Sequence, residues 1–362
     1  MKTAAIITIH VGQNFGSNLQ TIATCEVIKR LGYQPIVVNY IPKRVARNSY
    51  WREAIKNPVK LFWRIINAPL FYKNLHIYEE YQERFCKLTK PIYDDDDFET
   101  SCPKADVYIT GSDQVWNSIH NQGFNERYFW GGIPAHLCKI AYASSFGVEQ
   151  LPEVEYAMVK KYLAEYHSIS VREMSAKRIV ESMGFTAEHL LDPTFMISKE
   201  DWMPFMSSRL IEEPYLLVYV PYNIKDKADI YATARMVANK LSLKIVTFSW
   251  NYSKERMADK TMKFMNPGDF LSLMYYSDYV ITNSFHGTAF SVNLNKQFGV
   301  YLPSGFGTRI ESILSLCNLE ERLIRNCKDL DRIYKQIDYD SVNTILDAER
   351  LKAINFLKEA LL

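Results

Sequence analysis

Asp278-Tyr279-Val280-Ile281-Thr282-Asn283-Ser284-Phe285-His286-Gly287-Thr288 reads in two halves. The first five residues form a short, apolar, β-rich run typical of a buried strand. Polar residues then interrupt it, and apolar periodicity resumes as a helix predicted over 287–295. Strand, polar turn and helix in that order are the repeating element of a parallel sheet with crossover helices.

The same alternation runs outward in both directions. Upstream, strands are predicted at 4–9, 35–39, 106–110, 139–143 and 168–171, with helices at 19–31, 154–166 and 175–183. Asp192-Pro193 disfavours helix, so 190–195 reads as an extended connection. A second unit carries strands at 215–220, 244–248, 278–282 and 298–302. Its helices are predicted at 227–241, 267–276, 287–295 and 308–317, followed by an amphipathic helix over 341–362. The economical fold is α/β, with two Rossmann-like parallel-sheet domains at 1–205 and 206–340 and the last helix after them. An insertion at 41–90 lengthens the first domain.

The chain has 362 residues, 48% apolar and 23% charged, enough for two cores and incompatible with disorder or a collagen-like repeat. Forty-three basic and 41 acidic residues leave a net charge of +2, so no nucleic acid is expected as a partner. Six cysteines at 25, 86, 102, 138, 317 and 327 follow no zinc spacing and read as free thiols of a reducing compartment. The apolar run after Met1-Lys2-Thr3 stops at His10, too short for a signal peptide, and fits a first buried strand. No run approaches the ~20 residues of a membrane span. The expected location is cytoplasmic. The acidic run Asp94–Asp97 lacks EF-hand spacing, so it reads as a solvated loop, and no metal site is expected.

In open parallel sheets, ligands bind beyond the carboxyl ends of strands. Four polar clusters fall there. His10-Val11-Gly12-Gln13-Asn14-Phe15-Gly16-Ser17-Asn18 is neither GxGxxG nor a Walker loop; it reads as a polar-ligand loop or a capping turn. Thr110-Gly111-Ser112-Asp113-Gln114-Val115-Trp116-Asn117 mixes a carboxylate, amides, a hydroxyl and an indole, which suits a sugar. The competing reading is a tight turn with Trp116 as a core anchor. In Ser170-Val171-Arg172-Glu173, the arginine forks either onto an anionic ligand or onto a carboxylate of the protein. The fourth cluster, Thr282 to Thr288, puts His286 at a helix N-terminus, where N–H groups and hydroxyls make an anion site. Arg309 follows the glycine-rich turn 304–307.

In order, Asn14-Phe15-Gly16, Gly111 to Asn117, Ala143-Ser144-Ser145-Phe146-Gly147, Ser170-Val171-Arg172-Glu173, Leu191-Asp192-Pro193-Thr194 and Ser284-Phe285-His286-Gly287-Thr288 make the sequence resemble the bacterial polysaccharide pyruvyl transferase family. The resemblance implies a GT-B-like fold of two Rossmann-like domains facing a cleft. It also implies transfer of pyruvate from phosphoenolpyruvate, as co-substrate, to a sugar as a cyclic ketal. Phosphate is released, no other cofactor is needed, and the 4,6-hydroxyls of galactose or mannose are common acceptors in exopolysaccharide or capsule synthesis. The family's essential arginine and histidine match Arg172 and His286. Arg309 stands where the family often has lysine.

On this reading Arg172, Arg309, Ser284, His286, Gly287 and Thr288 bind the donor. Asn14, Gly16, Gln20, Ser112, Asp113, Gln114, Trp116 and Asn117 bind the acceptor. His286 is the general acid and Asp113 the base. Two alternatives remain open: a nucleotide-sugar glycosyltransferase of the same fold, and a non-catalytic carbohydrate-binding or assembly protein.

The insertion is basic and aromatic. Residues 41–75 hold Lys43, Arg44, Arg47, Arg52, Lys56, Lys60, Arg64 and Lys73 against Glu53 alone. Asn57-Pro58 suits a helix start, and Val59, Phe62, Trp63 and Ile66 then fall on one face. Two readings follow: this face packs on the chain's own sheet, or it lies on an anionic membrane, convenient for a lipid-linked acceptor.

Overall fold

The computed structural model describes residues 1–47, 49–52, 54–222, 227–249, 253–303, 307–325 and 329–362. The chain divides into two compact units, Met1–Pro193 with Ala353–Leu362, and Thr194–Lys352.

The first unit holds β1 (Thr3–Ile7), β2 (Gln34–Val37), β3 (Tyr40–Ile41), β4 (Ile92–Tyr93), β5 (Val107–Thr110), β6 (Lys139–Ser144), β7 (Ser168–Val171) and β8 (Glu188–His189). Six of them form one parallel sheet in the order β2-β1-β5-β6-β7-β8, and β3 pairs with β4 beside it. The second unit holds β9 (Tyr215–Tyr219), β10 (Lys244–Phe248), β11 (Lys260–Met262), β12 (Tyr279–Thr282) and β13 (Gln297–Val300). These run parallel in the order β11-β10-β9-β12-β13. Central strands such as β5, β9 and β12 are buried along their whole length, as strands covered on both faces must be.

Helix ends follow local chemistry. Asn14 caps the helix Phe15–Arg30 by accepting from Ser17 N at 3.2 Å, and Lys29 and Arg30 sit in its last turn. Asn266 and Asp269 form a reciprocal capping box at the start of Pro267–Tyr276. Several helices start earlier than the sequence reading, the last at Tyr339 rather than 341, and two of these shifts fall beside the strand-end clusters. The first helix begins at Phe15 rather than 19, so Gly16, Ser17 and Asn18 are helical. The helix after β12 begins at Phe285 rather than 287, because Ser284 is the extended cap (φ −105°, ψ 139°). The edge strand β11 and the two-residue strands β3, β4 and β8 are too short to show periodicity.

Residues 194–205, read above with the first domain, pack with the second unit. Asn293 Nδ2 donates to the carbonyls of Thr194 and Ile197, and the Trp202 ring packs on Phe290. At the chain's end, Tyr33 Oη donates to the Leu361 carbonyl within the first unit. The acidic run serves turns and caps: Asp94 accepts from Lys43 N, Asp96 from Tyr93 N, and Asp97 caps a short helix.

The insertion builds a helix over Pro58–Phe85, capped by Asn57. Its C-terminal half is anchored by Asn74, Leu75, Tyr78, Tyr81 and Gln82, with Tyr78 stacked on Phe15 at 5.3 Å. In its N-terminal half, Tyr50 stacks on Phe71 at 4.1 Å, and Trp51 Nε1 donates to Tyr72 Oη at 2.9 Å. Val59, Phe62, Trp63 and Ile66 are exposed, so the reading that packs this face on the sheet does not hold. Glu53 lies outside the described residues, as do Cys327 and residues 304–306 of the turn before Arg309. Cys25, Cys86, Cys102, Cys138 and Cys317 are free thiols.

Candidate functional site

Each sheet has a point where the strand order reverses, and there the loops at the carboxyl ends part to leave a crevice. In the first unit it lies between β1 and β5, and in the second between β9 and β12. The polar clusters after β1 and β5 flank the first crevice, and the His286 cluster flanks the second.

At the first crevice the helix after β1, the end of β6 and the loops after β5 and β7 meet on one carboxylate. Asp113 accepts from Ser17 Oγ at 2.6 Å through one oxygen, and from Arg172 Nη2 at 3.1 Å and Gln114 N at 2.8 Å through the other. Its backbone is left-handed (φ 73°), a conformation non-glycine residues seldom hold without a purpose. Ser144 bridges to it from β6, immediately after Ala143 (φ 48°), where the β6–β7 register shifts. Two strained positions therefore adjoin, as happens where a bulge re-aims a side chain beside a site.

Arg172 is fully buried, and its fork is taken by the protein. Nη1 donates to Asp192 Oδ2 at 2.7 Å, Nη2 to Asp113, and Glu173 Oε2 lies 3.9 Å from Nε. Burial works against the guanidinium charge, but Asp113, Asp192 and Glu173 outweigh it and raise the pKa. Ser112 Oγ also donates to Asp192, at 2.8 Å. Glu173 Oε1 accepts from Ser145 Oγ and from the N–H groups of Phe146 and Gly147. The Arg172 fork is thus engaged by carboxylates of the protein, and through Nη2 it holds Asp113 in place. Asp192, Glu173 and Ser17 complete the network. A protein carboxylate beside Arg172 is the competing reading of that segment, and Glu173 and Asp192 supply it, whereas the sequence reading gives Asp192 and Ser17 no role of their own.

The other expected acceptor residues divide. Asn117 Nδ2 donates to Gln114 Oε1 at 2.7 Å, and both sit against Gly147. A Cβ on Gly147, whose φ is +64°, would lie 2.3 Å from Gln114 Oε1. Asn14 is exposed at the helix cap, and Gly16 is buried in the first turn. Gln20 is buried; its Nε2 donates to Thr8 Oγ1, Thr21 Oγ1 and the carbonyls of Ile9 and Ser17, while its Oε1 has no hydrogen-bond partner among the described residues. Trp116 is the core anchor: its ring stacks on Phe129 at 5.2 Å, packs on Phe146, and donates Nε1–H to the Tyr128 carbonyl. His10, which opens the first polar cluster but has no role of its own in the sequence reading, lines a cavity of about 330 Å³ with Gly12, Asn18, Asn39 and Arg47.

At the second crevice, Gly287 lets the helix Phe285–Asn293 sit directly on the end of β12. A Cβ there would lie 2.2 Å from Thr282 Oγ1 and 2.8 Å from Tyr219 Cδ1. Thr282 Oγ1 donates to the Tyr219 carbonyl and accepts from Ser284 N, while Thr288 Oγ1 donates back to the Ser284 carbonyl. The structure brings His286 and Arg309 together around Phe285. The imidazole packs edge-on to the phenyl ring at 5.2 Å, and the guanidinium lies over that ring at 5.5 Å. Both polar side chains are buried, and Arg309 Nε has no hydrogen-bond partner among the described residues. A buried cation, an imidazole and the first N–H groups of a helix form the chemistry of an anion site.

The model of the family described as polysaccharide pyruvyl transferase matches residues 14–304, a span that includes Ser17, Asp113, Arg172 and His286 and ends before Arg309. The chain belongs to the polysaccharide pyruvyl transferase family. No curated protein matches this member of the family. Among solved structures it resembles Arabidopsis thaliana UGT89C1 complexed with quercetin, at 10% identity with 100% of each chain covered and a TM-score of 0.50. It is also similar to an S. aureus MnaA-UDP co-structure, at 11% identity, 99% of this chain, 91% of that one and a TM-score of 0.48. An alpha-glucosyltransferase (AGT) in complex with UDP matches at 10% identity, 99% and 95% coverage and a TM-score of 0.49. At such identities the likeness concerns the fold alone: α/β, GT-B-like, with two Rossmann-like parallel sheets.

Proposed function

We propose that this family member transfers pyruvate from phosphoenolpyruvate to a sugar diol as a cyclic ketal, releasing phosphate, in the assembly of a surface polysaccharide. The observation that carries the reading is the family match over 14–304, which takes in Asp113, Arg172 and His286. The second unit supplies what a phosphate and a carboxylate require: the Arg309 cation and the N-terminal N–H groups of Phe285–Asn293.

His286, in the first turn of that helix, protonates the enol methylene of the donor, turning it into the methyl group of the ketal. One sugar hydroxyl adds to the central carbon and loses its proton to Asp113, which Arg172 and Ser17 hold in position. A second hydroxyl then displaces phosphate from the same carbon and closes the ring; its proton restores His286, and the proton taken by Asp113 leaves on the released phosphate. The carboxylate-rich surroundings of Asp113 favour a neutral acceptor hydroxyl over a further anion.

The deciding measurement is phosphate release from phosphoenolpyruvate with and without a panel of free and lipid-linked galactosides and mannosides. Acceptor-dependent release supports the reading. Release of nucleotide from a sugar nucleotide, with none of phosphate, assigns the fold to a glycosyltransferase instead. Saturable acceptor binding with no turnover of either donor leaves a carbohydrate-binding protein.

A further inference from the structure

The N-terminal half of the helix Pro58–Phe85, with the turn just before it, presents an apolar face that no described residue covers. Ile55, Val59, Phe62, Trp63, Ile65 and Ile66 are between 49% and 69% exposed, consecutive along one short stretch. Single exposed apolar residues are ordinary; six together mark an interaction surface. The helix has its own foundation on the other side, where Tyr50 Oη donates to the Arg64 carbonyl at 3.0 Å and Tyr50 stacks on Phe71. The exposed face is therefore surplus to the chain's own packing.

The charges around that face have one sign. Between residues 54 and 78 the chain carries Lys56, Lys60, Arg64 and Lys73 and no aspartate or glutamate. Lys56, Lys60 and Lys73 are exposed, and Arg64 lies over the Tyr50 ring at 5.1 Å. An apolar ridge bearing a tryptophan and flanked by lysines matches the boundary of a bilayer, with acyl chains beneath and anionic headgroups around. A second copy fits less well, because a two-fold contact sets the same cations against each other. No helix among the described residues is long and apolar enough to cross a membrane, so the element lies on the surface.

We infer that Ile55 to Ile66 dock this protein on an anionic lipid bilayer, with Phe62 and Trp63 inserted and Lys56 and Lys60 on the headgroups. The inference stands apart from the reaction proposed above, since it needs neither crevice.

Vesicle flotation tests it, using phosphatidylcholine alone or mixed with phosphatidylglycerol. The full chain should float with the mixed vesicles at low salt, stay behind with pure phosphatidylcholine, and be released by salt. Phe62→Ser with Trp63→Ser should lower the bound fraction more than tenfold, and each of Lys56→Gln and Lys60→Gln should weaken partitioning about fivefold. Val154→Ser, at an exposed apolar residue far along the chain, should change nothing. Because every substituted side chain is exposed, folding is retained and checked by circular dichroism. Failure to float, or flotation unaffected by the Phe62 and Trp63 substitutions, overturns the inference. Concentration-dependent self-association abolished by those substitutions, without flotation, overturns it in favour of a second copy.

Discussion

Arg172 Nη2 donates to Asp113 Oδ1 at 3.1 Å, and Asp113 receives it from a left-handed backbone. The arginine that the sequence resemblance singles out thus reaches a carboxylate of the protein, and that carboxylate has a left-handed backbone. Arg172→Lys keeps a charge but loses the fork that spans Asp113 and Asp192. Turnover of phosphoenolpyruvate should fall about 100-fold through misplacement of Asp113, with donor KM unchanged. A raised donor KM at unchanged kcat would show that Arg172 binds the donor itself.

Removing the charge altogether should be worse for the fold. Arg172→Met leaves the buried carboxylates of Asp113, Asp192 and Glu173 without their counter-ion. The expected loss is about 3–5 kcal/mol of stability, read in urea unfolding.

His286 tests the other crevice. His286→Gln keeps the size and polarity of the side chain but cannot deliver a proton as imidazolium does. Acceptor-dependent phosphate release should fall about 10²–10⁴-fold with the melting temperature unmoved. Turnover near that of the unsubstituted protein removes His286 from proton transfer.

Gly287→Ala sets a methyl 2.2 Å from Thr282 Oγ1. The helix carrying His286 must then lift off β12, at a cost of about 1–3 kcal/mol. Adding Thr282→Ala should recover part of that loss, since Tyr219 Cδ1 at 2.8 Å still stands in the way. Thermal melts of the two variants measure the difference.

His10 gives a pH dependence. Burial lowers its pKa below the ordinary 6.5, only partly offset by its contacts with the Thr8 carbonyl and Asn39. The folded chain holds it neutral, so the unfolded chain takes the proton first on acidification. Its contribution to stability is present above pH 6.5 and is lost as pH falls below that value. Between about pH 7 and about pH 5, the unsubstituted protein should lose more stability than His10→Gln. Parallel pH profiles for the two would assign the titration elsewhere.

Much of the site was legible because strand-end position is a local property. Apolar runs such as Val107–Thr110 and Tyr279–Thr282 announce themselves, and whatever polar cluster follows must lie at the carboxyl edge of the sheet. Trp116 shows the limit. Its neighbours in sequence, Gln114 and Asn117, suggested a sugar platform, while Phe129 and Phe146, distant in sequence, bury its ring. Asp192 was read as part of an extended link, since an Asp-Pro step says nothing of the arginine twenty residues earlier that it faces.

By itself the sequence determined the two-unit α/β architecture, the strand-end clusters, the family and the amphipathic start of the insertion helix, since each is written in local periodicity or ordered motifs. Only the tertiary structure decided that the Arg172 fork is occupied by Asp113 and Asp192, that Arg309 and His286 meet around Phe285, and that the Phe62–Trp63 face stays exposed. The physical reason is common to all three. Which side chains neutralise a buried charge, share an aromatic ring or cover an apolar face depends on elements brought together through strand order. Strand order joins β1 to β5 and β9 to β12 across long stretches of sequence.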